Sequence, residues 1–210
     1  MTPFTFEEIQ IKDSTIYFCS FIKFEPNKHF EHLSEEEISK VEGFRSDSRK
    51  MEYVATRVLK HSVFGEKRIE YSEIGAPYIK ETGFISISHT HNMVAIGVNP
   101  NYKIGLDLET PRDNVLEVAS KFLSEEEKTI FNILNKLEVT KIWSAKEALY
   151  KLAGRKKIHF KTELLLKKHS GDVWQGLIIN PNHSISAKLN IFEHRGIIVS
   201  INNEQVCIQK

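Results

Sequence analysis

Leu-Ser-Glu-Glu-Glu occurs twice in this chain, at 33–37 and at 123–127. In both copies a serine stands before three glutamates, the order of an N-cap followed by acids in the first helical turn, where the positive end of a helix favours them. A helix is therefore expected to open at each copy. Because the copies fall in successive halves of a 210-residue chain, they point to an internal duplication. No low-complexity linker separates the halves, so two subdomains would have to pack closely.

Around these markers the texture alternates between strand and helix. Ile16, Tyr17, Phe18, Phe21, Ile22 and Phe24 are clustered β-formers that predict one or two strands between Ile9 and Phe24, ended by Pro26-Asn27. Helix is expected through much of 35–64, with a break near Gly43 to Ser48 and a stop at Gly65. Beyond the turn Gly75-Ala76-Pro77, the segments Phe84–His89, Val94–Val98 and Lys103–Glu109 predict a meander of neighbouring antiparallel strands. The second copy predicts a helix burying Ile130, Phe131 and Leu134, then another over about 138–153, with β structure from Gly154 to Cys207.

Composition narrows the function classes. No apolar run approaches the roughly 18 residues that span a bilayer, and the first residues lack the basic and apolar regions of a secretion signal. A cytoplasmic protein with no membrane association is expected. A net charge of +1 gives no bulk attraction for nucleic acid. Neither Cys19 nor Cys207 has a second Cys or a His at zinc-ligand spacing, so both are expected to be reduced and buried.

Three clusters carry chemistry. In the strand at 104–109 the period of two puts Gly105, Asp107 and Glu109 on one face and Ile104, Leu106 and Leu108 on the other. Two carboxylates roughly 7 Å apart along a strand suit a hard cation that takes one or two carboxylates plus phosphate and water; a solvent-facing acidic edge is the alternative. In the helix, Trp143, Glu147 and Lys151 are four apart and share a face, which adds a third carboxylate and a cation. A solvated Glu147–Lys151 pair is the alternative there. In Ser86-Ile87-Ser88-His89, the hydroxyls and the imidazole can donate to phosphate oxygens.

In this order and spacing, Ser-Ile-Ser-His, Ile-Gly-Leu-Asp-Leu-Glu and Trp-Ser-Ala-Lys-Glu-Ala-Leu-Tyr-Lys resemble the two-domain (Sfp-type) 4′-phosphopantetheinyl transferases over roughly 33–160. The resemblance implies an α+β fold of two similar, closely packed α/β subdomains related by a pseudo-twofold, taken as 1–103 and 104–210, the second carrying most of the metal site. It implies transfer of phosphopantetheine from coenzyme A to a serine of an acyl or peptidyl carrier protein, with Mg²⁺ or Mn²⁺. Asp107, Glu109 and Glu147 match the metal-binding acids; Glu147 is the expected general base, and Lys151 would neutralise diphosphate oxygens. Lys146, Ser88, His89, Lys40 and Gly75 match positions that hold coenzyme A. A monomer is expected, since duplication would supply within one chain the interface that half-size relatives make between chains.

Two departures stand out. The family commonly has Gly-Lys-Pro where this chain has Gly75-Ala76-Pro77, and Glu37 replaces an upstream lysine. Arg45, Arg49 or Arg57 could restore the charge. The basic residues Arg155, Lys156, Lys157, Lys161, Lys167 and Lys168 are candidates for docking an acidic carrier protein. Rival functions are a Mg²⁺-dependent phosphoesterase acting on a diphosphate, and a non-catalytic relative that binds coenzyme A or a carrier. The presence of all three acids favours catalysis.

Overall fold

A computed structural model describes residues 2–154 and 157–209. The N-terminal half opens with the hairpin β1 (Phe4–Ile11) and β2 (Ser14–Phe21), longer at its start than the sequence pattern suggests. After a 3₁₀ segment at Pro26–His32 come α1 (Glu35–Glu42) and α2 (Asp47–Phe64). Two short strands, β3 (Glu70–Tyr71) and β4 (Pro77–Tyr78), pair with each other, and β5 (Phe84–Thr90) and β6 (Met93–Asn99) complete a four-stranded antiparallel sheet ordered β1-β2-β6-β5.

The C-terminal half begins with β7 (Leu106–Glu109), followed by α3 (Asn114–Val118), α4 (Glu125–Ile130), α5 (Lys136–Ala153) and α6 (Phe160–Glu163). Strands β8 (Leu164–Ser170), β9 (Val173–Ile179), β10 (Ser184–His194), β11 (Ile197–Asn202) and β12 (Cys207–Gln209) follow. Their sheet runs β7-β11-β10-β9-β8, with β12 on β10. The fold is α+β, and the repeat seen in the sequence is a repeat of structure. Each half lays a short capped helix and then an 18-residue helix against an antiparallel sheet.

The two Ser-Glu-Glu-Glu segments form the same device. Ser34 and Ser124 each accept from the backbone N–H of the third helical residue, and Glu37 and Glu127 each reach back to the serine N–H. Each of these glutamates then meets a cation from the long helix of its own half: Arg57 Nε lies 2.6 Å from Glu37, and Lys146 Nζ 2.7 Å from Glu127. Arg57 and Lys146 occupy the same place in the two helices, ten residues after Asp47 and after Lys136. Lys146 is fully enclosed and donates all three of its protons, to Glu127, Phe122 O and Phe160 O. Glu127 also accepts from Leu166 N, so one carboxylate ties α4, α5 and β8 together.

The strand after β6 does not continue the meander. Asn99 Oδ1 accepts from the N–H groups of Asn101 and Tyr102, and its amide donates to Ser14. That turn sends the chain into the other sheet, where β7 pairs with β11 as an edge strand. Its neighbour across the seam is β5, which supplies side chains instead of backbone. Ser86, Ser88 and Thr90 hydroxyls accept from Leu106, Leu108 and Thr110 N–H at 2.9, 3.1 and 3.1 Å. Leu106 and Leu108 bury against Ile16, Phe18, Met93 and Ala95 of the first sheet, together with Val199 and Ile201 of the second.

Two further expectations are corrected. Of the apolar residues at the second copy, Phe131 is buried, but α4 stops at Ile130 and leaves Ile130 and Leu134 exposed. Cys19 is a buried free thiol, whereas Cys207 is exposed because it lies on the short strand β12. No helix among the described residues is long and apolar enough to cross a membrane.

Replacing Glu127 by Ala strands the Lys146 charge in the core and should cost about 3–5 kcal/mol in urea unfolding. Pairing it with Lys146→Met should recover much of that loss, since the buried charge is then gone as well.

Candidate active site

The site forms where α5 presses on the start of β7. Gly105 permits the approach, since a Cβ there would overlap Ala148 O of α5. Trp143, Glu147 and Lys151, sharing one helical face, are thereby brought to the two acids of the strand. Trp143 Nε1 donates to Glu109 Oε1 at 2.7 Å, and its ring is held between Phe122 and Phe160. Lys151 Nζ donates to Leu106 O at 2.6 Å and to Asp107 Oδ1 at 3.0 Å. The lysine therefore reaches across to the strand instead of forming a solvated pair with Glu147.

Asp107 is 5% exposed, so it is no solvent-facing strand edge. Its Oδ1 accepts from Ser88 Oγ at 3.1 Å as well as from Lys151, while its buried Oδ2 has no hydrogen-bond partner among the described residues. Burial, reinforced by the Asp107 charge and opposed by the Trp143 hydrogen bond, pushes the Glu109 carboxyl up to about 7. Burial and Asp107 likewise push Glu147 up to about 7, against the pull of Lys151. Three carboxylates thus share a desolvated space with too little positive charge. Among the described residues no three His, Cys, Asp or Glu side chains form a ready-made metal cage. The donor set, with one buried carboxylate oxygen unused, fits a hard cation that draws its other ligands from substrate phosphate and water.

Two clefts meet here. One, of about 470 Å³, is lined by Arg49, Tyr71, Gly75, Phe84, His89, Lys103 and Lys151, among others. The other, of about 410 Å³, is lined by Glu52, His89, Glu109, Arg112, Val115 and Trp143, among others. His89 belongs to both. Its Nδ1 lies 3.1 Å from Glu52, and its Nε2 meets Arg49 Nη1. With Arg49 donating to Nε2, this is the pattern of a neutral imidazole, in keeping with the downward push that burial exerts on its pKa.

The expected nucleotide contacts divide. Gly75, His89 and Lys151 face the first cleft. Lys40 stands over the rings of Tyr53 and Tyr71, so it touches the cleft wall through Tyr71. Ser88 and Lys146 do not offer a donor to the cleft. Ser88 spends its proton on Asp107 and its lone pair on Leu108 N–H, and Lys146 is consumed by Glu127 and two carbonyls. Of the arginines weighed as replacements for lost charge, Arg49 lines the cleft, whereas Arg57 is buried on Glu37 and Tyr53.

Lys103 and Glu52 were not anticipated from the motifs. The Lys103-Ile104-Gly105 order hints at Lys103, since Gly105 marks the point where α5 and β7 touch. Nothing in the helical pattern of α2 singles out Glu52. In the basic cluster, Lys161, Lys167 and Lys168 are paired with Glu125, Glu126 and Glu138. Arg155 and Lys156 lie outside the described residues.

Residues 103–194, which contain Asp107, Glu109, Glu147 and Lys151, match the family model described as the 4′-phosphopantetheinyl transferase superfamily. A curated relative, the 4′-phosphopantetheinyl transferase HetI of Nostoc sp. (strain PCC 7120), is 26% identical, the match covering 58% of this chain and 60% of that protein. This chain thus spans about three-fifths of the relative's length.

Trp143→Phe removes the proton donor that favours ionised Glu109 while keeping an aromatic ring in place. The Glu109 carboxyl, already at about 7, should then titrate higher still in carbon-detected NMR.

Proposed function

We propose that this chain, a relative of the 4′-phosphopantetheinyl transferase superfamily, transfers 4′-phosphopantetheine from coenzyme A to a serine of an acyl or peptidyl carrier protein. The observation that carries the reading is the meeting of two clefts at His89, with Glu109 on one and Lys151, bonded to Asp107, on the other. A cleft walled by Arg49, Lys103 and Lys151 suits a polyanionic donor, and the cleft bordered by Glu109 leaves a separate approach for the acceptor. A hydrolase acting on the diphosphate would need room only for water on that second side.

Asp107, Glu109 and Glu147 would hold Mg²⁺ or Mn²⁺, with the unused Asp107 oxygen as one donor; the bound ion would offset diphosphate charge. Ser88 and Lys151 hold the other oxygen of Asp107 and so fix the direction of the free one. Glu147, pushed up to about 7, is matched to removing a proton from the acceptor hydroxyl near neutral pH. The serine oxygen bonds to the phosphorus that carries pantetheine while the anhydride P–O bond breaks. Its electron pair leaves on 3′,5′-adenosine bisphosphate, and the serine proton passes to Glu147. Lys151 stands beside the diphosphate and opposes the charge that develops on it. In this reading residues 1–103 and 104–210 act as one cytoplasmic monomer, the second part carrying most of the acids.

Mass spectrometry of an apo carrier protein incubated with this protein, coenzyme A and Mg²⁺ should show a gain of about 340 Da on one serine, roughly the mass of the transferred group. Asp107→Ala and Glu147→Ala should each abolish the gain. Hydrolysis of coenzyme A with no carrier modified would refute the reading, and full activity in either variant would refute the assignment of the acids.

A further inference from the structure

We infer that Ser144 and Ser200 are positioning residues for Asp107, which they steady from behind through one shared, buried water molecule. This rests on the reading of Asp107 as a metal ligand. Asp107 Oδ2, Ser144 Oγ and Ser200 Oγ are all buried without a hydrogen-bond partner among the described residues. Both serines are 0% exposed, so neither hydroxyl can turn to solvent instead. A hydroxyl enclosed without a partner is costly, and two of them beside an unpaired carboxylate oxygen call for something between them.

Strand pairing brings two of these atoms together. Ser200 of β11 stands directly opposite Asp107 of β7, and residues so placed leave the sheet on one face with Cβ atoms roughly 4.5–5.5 Å apart. That face lies under α5. Leu106, Leu108, Val199 and Ile201 alternate with the pair and pack towards the first sheet, whereas Ile198 packs with α5 and Asn202 accepts from Gly105 N–H. Ser144 closes the group from the helix side. Trp143 bonds to Glu109, and Lys151 to Asp107 and Leu106 O, so α5 runs against the direction of β7. Ala148 O lies over Gly105. Ser144 is one turn earlier, about 6 Å back along the axis, which is about two strand residues and brings it level with Asp107. Around the axis it falls between the stripe of Trp143, Glu147 and Lys151 and the stripe of Ala145, Ala148 and Leu152 that packs in the core.

None of the three oxygens bonds another, which is the spacing that a bridging water serves. A water among them has a carboxylate and two hydroxyls as partners, within the two to four that a buried water needs. It donates to Asp107 Oδ2 and to one serine, and accepts from the other. The carboxylate oxygen keeps a second lone pair for the cation. Ser88 and Lys151 already hold Oδ1. With the water on Oδ2, both oxygens of Asp107 are gripped and the plane of the carboxylate is set.

Uptake of Mn²⁺ by the intact protein with coenzyme A present, read by electron paramagnetic resonance against a blank of coenzyme A alone, tests this without a carrier. Ser144→Ala and Ser200→Ala should each weaken Mn²⁺ binding about tenfold, with the calorimetric affinity for metal-free coenzyme A changed less than about twofold. The double variant should be scarcely weaker than either single one, because losing one hydroxyl already releases the water that both hold. Unchanged Mn²⁺ affinity in the single variants would overturn the inference, and a raised midpoint of urea unfolding in the metal-free protein would then identify the hydroxyls as idle buried groups. Losses that add in full in the double variant would also overturn it, as the mark of two independent effects. If the single variants weaken Mn²⁺ but no carrier is modified by the unaltered protein, the transferase reading fails and the positioning role stands. If the unaltered protein takes up no Mn²⁺, the metal assignment and this inference fall together.

Discussion

Three hydroxyls hold the chemistry of this molecule in place. Strand β7 is the edge of its sheet, and an edge leaves N–H groups that must find acceptors once they are buried. Ser86, Ser88 and Thr90 of β5 provide them, one for every second residue, so the edge of one sheet is sealed by side chains from the edge of the other. Ser88 accepts from the backbone and donates to Asp107 in the same contact. The seam between the halves and the aim of the acid are therefore one structure. A shift of β5 by a single residue would turn Ile85, Ile87 and His89 towards β7 and remove every one of these bonds.

The repeated scaffold carries the three acids of the site on β7 and α5, in its second half. Both long helices bury a cation on the glutamate of the preceding capping box, in the same place, although Arg57 turns its remaining donors to tyrosine hydroxyls and Lys146 to backbone carbonyls. Where α5 has Trp143, Glu147 and Lys151, the matching places of α2 hold Val54, Val58 and Ser62. Val54 and Val58 pack into the core of the first half. The first half contributes from other positions: Arg49 and Glu52 near the start of α2 engage His89, and β5 supplies the hydroxyls.

Charge explains why such a site requires both halves. Asp107, Glu109 and Glu147 repel one another in a desolvated space, and burial raises two of them towards neutrality. Lys151 offsets part of this, and the unused Asp107 oxygen marks where more positive charge is wanted. The cations of the neighbouring cleft come from α2, the approach to β7 and α5 together. A polyanion bound there would be held by groups from both sides of the seam.

The sequence by itself determined whatever depends on neighbours a few residues apart. The paired caps, the presence of the two long helices, the Gly65 stop, the shared face of Trp143, Glu147 and Lys151, and the apolar face of Leu106 and Leu108 all follow from local periods and turn chemistry. The order and spacing of the motifs also carried the resemblance to 4′-phosphopantetheinyl transferases, and the matching family model spans residues 103–194. What only the tertiary structure decided is how distant elements meet. A strand after a short turn reads like the next strand of a meander, and only the Asn99 turn and the β11 pairing place β7 in the other sheet. Serine and lysine in a motif suggest phosphate donors, yet a hydroxyl opposite an unpaired N–H and an ammonium opposite a buried carboxylate are taken by those partners first. That competition is settled by distances across the fold. It leaves Ser88 and Lys146 inside and Arg49 and Lys103 facing the cleft.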